Sequence, residues 1–374
     1  MVLPIILLSV PLGKARADDR ILIPATINGQ PVRLAFDTGA DCSALLRDAA
    51  DRLGLKVNKV DLVEPLKPGQ VRADVTEECT VTTGGRSYKT HIGVIDGPLF
   101  SDIDGVLSWR DVSNLVFQVD VARHVYGFVE EMPPDLNTWA KWKLVANRPV
   151  VMFDCPDGAG TARIVIDTGA ENGVWLGPTR WQEWRVRRAT QLATLEAGLF
   201  LADRLIILDV FRAKRISVGG ITLSDVPVSK APPFANLLWK DCDAELGLFA
   251  FSRLRLIIDG KNGWIYTCPI SNPTTQYAYN RLGAVFVPKD VDKDDDLIAH
   301  VVDGSPAYRA GIRDGDVLLK IGILNVTVWR TDPYILPLSR FWSRPAGTKD
   351  KLTLKRGDKQ FEATVTLEEL PAVD

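Results

Sequence analysis

Two carboxylates sit in the same tetrapeptide: Asp37-Thr38-Gly39-Ala40 and Asp167-Thr168-Gly169-Ala170, 130 positions apart. Each copy follows an arginine and an apolar run, Arg33-Leu34-Ala35-Phe36 or Arg163-Ile164-Val165-Ile166, and precedes an acid, Asp41 or Glu171. One Asp-Thr-Gly is expected by chance on the order of 0.1 times in a chain of ordinary composition. Two copies in matched contexts point instead to a duplicated lobe, each half giving one carboxylate to a shared site. Splitting an amide with water needs a base for the water and an acid for the carbonyl oxygen and leaving amine. Two adjacent carboxylates supply both, because like charges at hydrogen-bonding distance hold one proton between them. Asp37 and Asp167 are therefore the expected pair. Thr38 and Thr168 have hydroxyls that can lock the two loops together, and Gly39 and Gly169 let an amide approach each carboxylate. No metal, cofactor or covalent intermediate is required.

The elements that must position these residues read as strands. Ile21–Ile27, an Asn28-Gly29 hairpin turn and Val32–Phe36 deliver Asp37 to a strand end. A short helix over Asp48–Leu55 closes on Gly54, and strand-like stretches at Val71–Val81 and Tyr88–Ile95 flank Gly84-Gly85. The second half repeats this order. Ser108–Asp120 aligns without gaps to Gly247–Asp259 at an offset of 139, matching Ser113 with Ser252, Leu115 with Leu254 and Asp120 with Asp259. Val81–Gly85 likewise mirrors Ile216–Gly220. The lobes span 18–130 and 147–268, with a Pro133-Pro134 connector at 131–146 and a polar linker at 269–280 before a distinct module at 281–374.

The bulk composition is that of a globular protein, with 46% hydrophobic residues, 25% charged residues and a net charge of −2 in 374 residues. Nothing in that balance calls for nucleic acid or an anionic membrane. Residues 1–17 read as a secretory signal: an apolar stretch, Val2–Leu12, runs into Ala15-Arg16-Ala17. That stretch is too short to span a bilayer, and export to the periplasm or medium is expected. Five cysteines (Cys42, Cys79, Cys155, Cys242, Cys268) leave at least one thiol unpaired and permit one bridge per lobe.

The two loops, FDTGADCSALL and IDTGAENGVWL, resemble the active-site loops of pepsin-like and retropepsin-like aspartic proteases. Asp104–Ser108 and Glu245–Gly247 are similar to the apolar-apolar-Gly segment that packs beneath each loop in that superfamily. The resemblance covers about Arg20 to Cys268. It implies a mainly β, bilobal pseudo-dimer of acid-protease barrels with one complete site per chain. It further implies Asp37 and Asp167 as the catalytic pair, Thr38 and Thr168 as the interlobe grip, and Ala40, Asp41, Ala170 and Glu171 lining the substrate backbone. A monomer acting on peptide or protein substrates follows. Ser108 stands where the family has Gly, whereas Gly247 is regular, and Glu171 replaces the Asp of the first copy. Leu66–Thr76 is the flap candidate by position and carries no aromatic. The alternative in a different class is an inactive, peptide-binding scaffold.

Beyond the linker, Gly304-Ser305-Pro306-Ala307 through Ala310–Leu318 resembles the signature of a bacterial PDZ domain, a small β-barrel with short helices. By that resemblance Leu282-Gly283-Ala284-Val285-Phe286 is a carboxylate-binding loop whose amides hold a peptide C-terminus while the peptide adds as a strand. Other signals carry less. Asp290–Asp296 lacks the glycine and closing glutamate of a calcium loop. His91, His124 and His300 form no zinc motif, and no Gly-x-Ser-x-Gly elbow occurs. Arg180–Arg188 reads as a helix with Trp181 and Trp184 inward and its arginines in water.

Overall fold

The computed structural model describes residues 9–11, 20–59, 73–95, 103–123, 125–145, 148, 150–157, 160–200, 204–233, 242–271, 273, 275–290, 293–332 and 334–371. The chain is mainly β. Asn28 and Gly29 both take positive φ (49° and 81°), the backbone a two-residue hairpin needs to match strand twist. They join Leu22–Ile27 to Gln30–Asp37, which pair from Leu22 with Ala35 to Ile27 with Gln30. A nine-stranded sheet grows on this hairpin, with Gly105–Ser108 parallel to Gln30–Asp37 and Ala44–Leu46 antiparallel to Gly105–Ser108. The helix is Arg47–Arg52, and Gly54 at φ 65° turns the chain out of it. The stretch expected as Val71–Val81 is two strands, Asp74–Thr76 and Cys79–Thr83; residues 71 and 72 lie outside the described residues.

The second lobe repeats the plan. Met152–Asp157 pairs with Gly160–Ile166, which runs parallel to Ala244–Leu246, itself antiparallel to Val174–Leu176. The aligned tails meet each other: Val116–Asp120 pairs antiparallel with Leu254–Asp259, and Gln118 faces Ile257, its own counterpart at the 139-residue offset. An approximate twofold axis therefore passes between these two residues. Residues 131–146 are more than a connector. They hold a 3₁₀ turn at Leu136–Thr138 and a strand, Ala140–Leu144, that inserts between Met152–Asp157 and Trp264–Pro269. Pro269, placed at the start of the linker, ends that last strand.

Phe36 anchors the strand that presents Asp37. It is buried, with ring centroids 4.1 Å from Phe117 and 5.8 Å from Phe128. Burying such a ring contributes about 1.5–3 kcal/mol, so the first active loop is tied to the interlobe sheet. The helix Pro178–Val186 turns Trp184 inward against Phe211, but Arg185 and Arg188 stack on Phe211 and Trp184 rather than standing in water. None of the five cysteines is in a disulfide, so no bridge joins the lobes or closes either one. Among the described residues no helix is long and apolar enough to cross a membrane.

Residues 281–371 form their own sheet, in the order Ala284–Val287, Leu297–Val301, Val317–Ile321, Lys349–Arg356, Lys359–Thr366, around a separate apolar core. Ser305 caps the turn Pro306–Arg309 by accepting from Tyr308 N at 3.2 Å. Arg356 grips the buried Asp316 with two bonds of 2.7 and 2.8 Å.

Candidate active site

Each Asp-Thr-Gly turn leaves the end of a central strand and faces the other across the twofold axis. The threonines interlock. Thr38 Oγ1 donates to the Ile166 carbonyl at 2.8 Å and accepts from Thr168 N at 2.9 Å. Thr168 Oγ1 donates to the Phe36 carbonyl at 2.6 Å and accepts from Thr38 N at 3.1 Å. All four bonds are buried. Each therefore satisfies a backbone or hydroxyl group whose burial unpaired costs about 1–3 kcal/mol.

The carboxyls are oriented from within their own loops. Gly39 N donates to Asp37 Oδ1 and Gly169 N to Asp167 Oδ1, both at 2.8 Å. Neither glycine has room for a side chain: a Cβ on Gly39 would lie 2.5 Å from Asp167 Cγ, and one on Gly169 would lie 2.4 Å from Asp37 Cγ. Each carboxyl thus packs against the opposing loop, and the two reach one another. Both side chains are buried. Desolvation is the first cause that lifts Asp37 well above the usual carboxylate range, and the charge of Asp167 adds to it. Burial also lifts Asp167, to about 6, against the pull of the Gly169 amide, the hydrogen bond with Asp37 and the Ala170 amide. Among the described residues no N–H or O–H donates to the buried Asp37 Oδ2, which a proton shared with Asp167 would satisfy.

Ala40 and Ala170 are buried beside the pair, while Asp41 and Glu171 are half-exposed at the rim. Glu171 lies 3.5 Å from Arg20, a buried guanidinium. The departure at Ser108 has a local cause. Its hydroxyl donates to the Ala40 carbonyl at 2.5 Å and accepts from Arg110 N, capping the following turn. At the matching Gly247, a Cβ would stand 1.8 Å from Asn172 Oδ1 and 2.8 Å from the Ala170 carbonyl. The first lobe has Cys42 in place of Asn172, which leaves that room.

The expected flap at 66–76 falls mostly outside the described residues, which resume at 73; Asp74–Thr76 is a strand paired with Val57–Asn58. In the second lobe the same place in chain order holds a long hairpin, Thr194–Phe200 with Arg204–Val218. The β-rich apolar run Leu205–Leu208 with Val210 and Phe211 signals it. Asp104 and Asp243 are also 139 apart. They do the same work in the two lobes: Asp104 Oδ2 accepts from Arg33 N and Asp243 Oδ2 from Arg163 N, both at 2.8 Å, which holds each lead-in strand. Glu245 is the least expected residue. It occupies the place of Val106, is buried near Asp167, and has Asn172 Nδ2 at 3.5 Å from Oε1. Burial first, then the charge of Asp167, push its carboxyl well above its ordinary range.

Of the loop read as a carboxylate clamp, Leu282 and Gly283 point their amides at one acceptor: Asn280 Oδ1 takes Leu282 N at 2.9 Å and Gly283 N at 3.3 Å. Ala284, Val285 and Phe286 form a buried strand. Among the described residues no group of His, Cys, Asp or Glu is arranged to hold a metal ion.

No curated protein matches the chain. Residues 23–109 match the family model described as aspartyl protease, a stretch that takes in the Asp37 loop and ends just past Ser108.

Proposed function

We propose that the chain is an aspartic endopeptidase with one site per monomer, in which Asp37 and Asp167 activate a water between them. The observation that carries this reading is the reciprocal threonine lock, which brings two carboxyls from opposite lobes into one buried, shared-proton pair. With Asp37 protonated and Asp167 ionised, Asp167 takes a proton from water as the oxygen attacks the peptide carbon, and Asp37 gives its proton to the carbonyl oxygen. The gem-diol then collapses. Asp167 passes its proton to the leaving nitrogen, Asp37 recovers one from the hydroxyl, and the starting state returns. Asp41 and Glu171, both half-exposed, are read as the residues that meet the substrate backbone. Residues 1–17 are read as an export signal, giving a periplasmic or secreted enzyme, and 281–374 as a PDZ-type module that engages polypeptide.

Cleavage of a peptide library by wild type, Asp37→Asn and Asp167→Asn tests the reading. Each variant is expected to lose activity by at least about a thousandfold. A fully active Asn variant, or a wild type that neither cleaves nor binds a pepsin-type transition-state inhibitor, overturns it.

A further inference from the structure

Three differences between the halves of the site fall at one spot. Where the first lobe has Cys42, Val106 and Ser108, the second has Asn172, Glu245 and Gly247. The second set interlocks. Gly247 leaves the room that Asn172 Oδ1 fills, since a Cβ there would stand 1.8 Å from that oxygen. Asn172 Nδ2 in turn lies 3.5 Å from Glu245 Oε1. The exchange of Val106 for Glu245 puts a third carboxyl behind a site built on two.

The backbone fixes Glu245 close to the pair. The carbonyl of the next residue, Leu246, accepts from Asp167 N at 2.9 Å. Val165 and Trp175 lie opposite Glu245 on the two neighbouring strands. Its side chain is 2% exposed. Among the described residues no N–H or O–H donates to Oε2, and the 3.5 Å contact from Asn172 is at the long limit of a hydrogen bond. A buried carboxylate ion needs several donors or a cation. Glu245 is therefore a neutral acid, in line with the upward push from burial and then from the charge of Asp167. The groups around it agree. Asp167 and Asp37 both bring charge of its own sign. Cys242, just before its strand, has a thiol pushed up to about 12 by burial and stays uncharged near neutral pH. Asp243 accepts from Arg163 N and Arg180 Nε, the Arg163 guanidinium is on Asp154, and Glu171 stands beside Arg20.

Acids in one buried cluster do not ionise independently: whichever lets go first, the others hold their protons to higher pH. The pair works with one proton. A third acid beside it either keeps its own proton and leaves the pair as it was, or loses it and binds the pair's proton more firmly. The effect has one sign. We infer that Glu245 is a positioning residue for the pair's proton, a third carboxyl set behind the second turn against Asn172, and that it extends the working range of the site to more alkaline pH. The inference rests on the endopeptidase reading and adds to it a control of pH range lodged in one lobe only.

The test compares full-length wild type with Glu245→Gln, which keeps the shape and loses the titration, and Glu245→Val, which installs the first lobe's residue. Values of kcat and KM are measured from about pH 3 to 9 on a peptide that the wild type cleaves. Both variants are expected to keep the acid limb in place and to lose activity on the alkaline side about half a pH unit or more earlier. That reads as at least about a threefold fall in kcat/KM there, carried by kcat. Profiles that superimpose on the wild type, or a loss equal at every pH, overturn the inference. A second measurement needs only folded protein. The infrared C=O band of protonated carboxyls at about pH 6 is expected to be weaker in both variants than in wild type. Equal bands show Glu245 ionised in the fold and overturn the inference as well. A wild type that cleaves no peptide at any pH overturns the endopeptidase reading, and the range assigned to Glu245 with it, whereas superimposed profiles leave that reading standing.

Discussion

Gly39 of the first lobe lies against the Asp167 carboxyl of the second, with no space between them for a methyl group. Neither Gly39 nor Gly169 has a positive φ, so alanine fits the backbone at both and only the carboxyl must move. Gly39→Ala and Gly169→Ala are each expected to fold, to lose about 1–3 kcal/mol of stability, and to lower kcat/KM by about a hundredfold or more, since a displacement of about 1 Å is enough for that. Thermal melts and steady-state kinetics on the same preparations separate the two effects.

The threonine lock predicts a graded series. Thr38→Ser keeps both bonds and is expected to stay within about 1 kcal/mol of wild type. Thr38→Val strands the Ile166 carbonyl and the Thr168 amide, at about 1–3 kcal/mol for each group. Because the four bonds form one network, Thr38→Val with Thr168→Val should cost less than the sum of the single changes. Denaturant unfolding checks this, and strict additivity would show that the two hydroxyls act independently.

Activity should rise as pH rises through about 6, where Asp167 ionises while Asp37 keeps its proton. The acid limb of kcat/KM reports this directly. A maximum near pH 3–4 that has vanished by pH 5 would contradict a pair whose ionising member is raised to about 6.

Stability should move the other way. Asp37, Asp167 and Glu245 are raised by burial, and Glu196 is raised to about 7 by burial against the pull of the Tyr277 hydroxyl. Between the ordinary carboxylate range and these folded values the native state binds more protons than the unfolded chain, so ∂ΔG/∂pH of unfolding is negative there. The contribution is fully present below about pH 4 and is lost as pH climbs through 6 to 7. Melting temperature should fall across that window at constant ionic strength, and Glu196→Gln should flatten the upper part of the slope. A melting temperature that climbs from pH 4 to 7 would show these carboxyls ionised in the folded state.

The two lobes should answer unequally to exchange of their Ser and Gly. Ser108→Gly removes one bond to the Ala40 carbonyl and a turn cap, a loss of about 1–2 kcal/mol. Gly247→Ser drives a Cβ into Asn172 and the Ala170 carbonyl and should cost more than that. Paired melts of the two variants decide the order.

Much of this site was legible in the residues. The doubled tetrapeptide and the 139-residue offset located both loops and the two matching tails, because a strand end followed by a glycine turn is a local matter and a duplication copies it whole; that the tails pair with each other is seen only in the fold. The segment Glu245–Gly247 was matched to the stretch beneath the second loop, but the burial of the Glu245 carboxyl near Asp167 was not legible, because only packing shows it. Asn280 looked like linker. Its role depends on the amides of Leu282 and Gly283 turning back on it, helped by the positive φ of Gly283, which composition does not announce. The strand at Ala140–Leu144 was hidden by Pro133-Pro134, whose effect ends before the strand begins.

The pairing of Gln118 with Ile257 has a consequence for handling the protein. The halves share a ladder that runs on through Trp264–Pro269 into Ala140–Leu144, the segment that joins them. Their association is therefore unimolecular, and dilution has no equilibrium to shift. Specific activity should be the same at nanomolar and micromolar chain, and a nick near residue 134 should leave two fragments that stay together until the fold itself is lost.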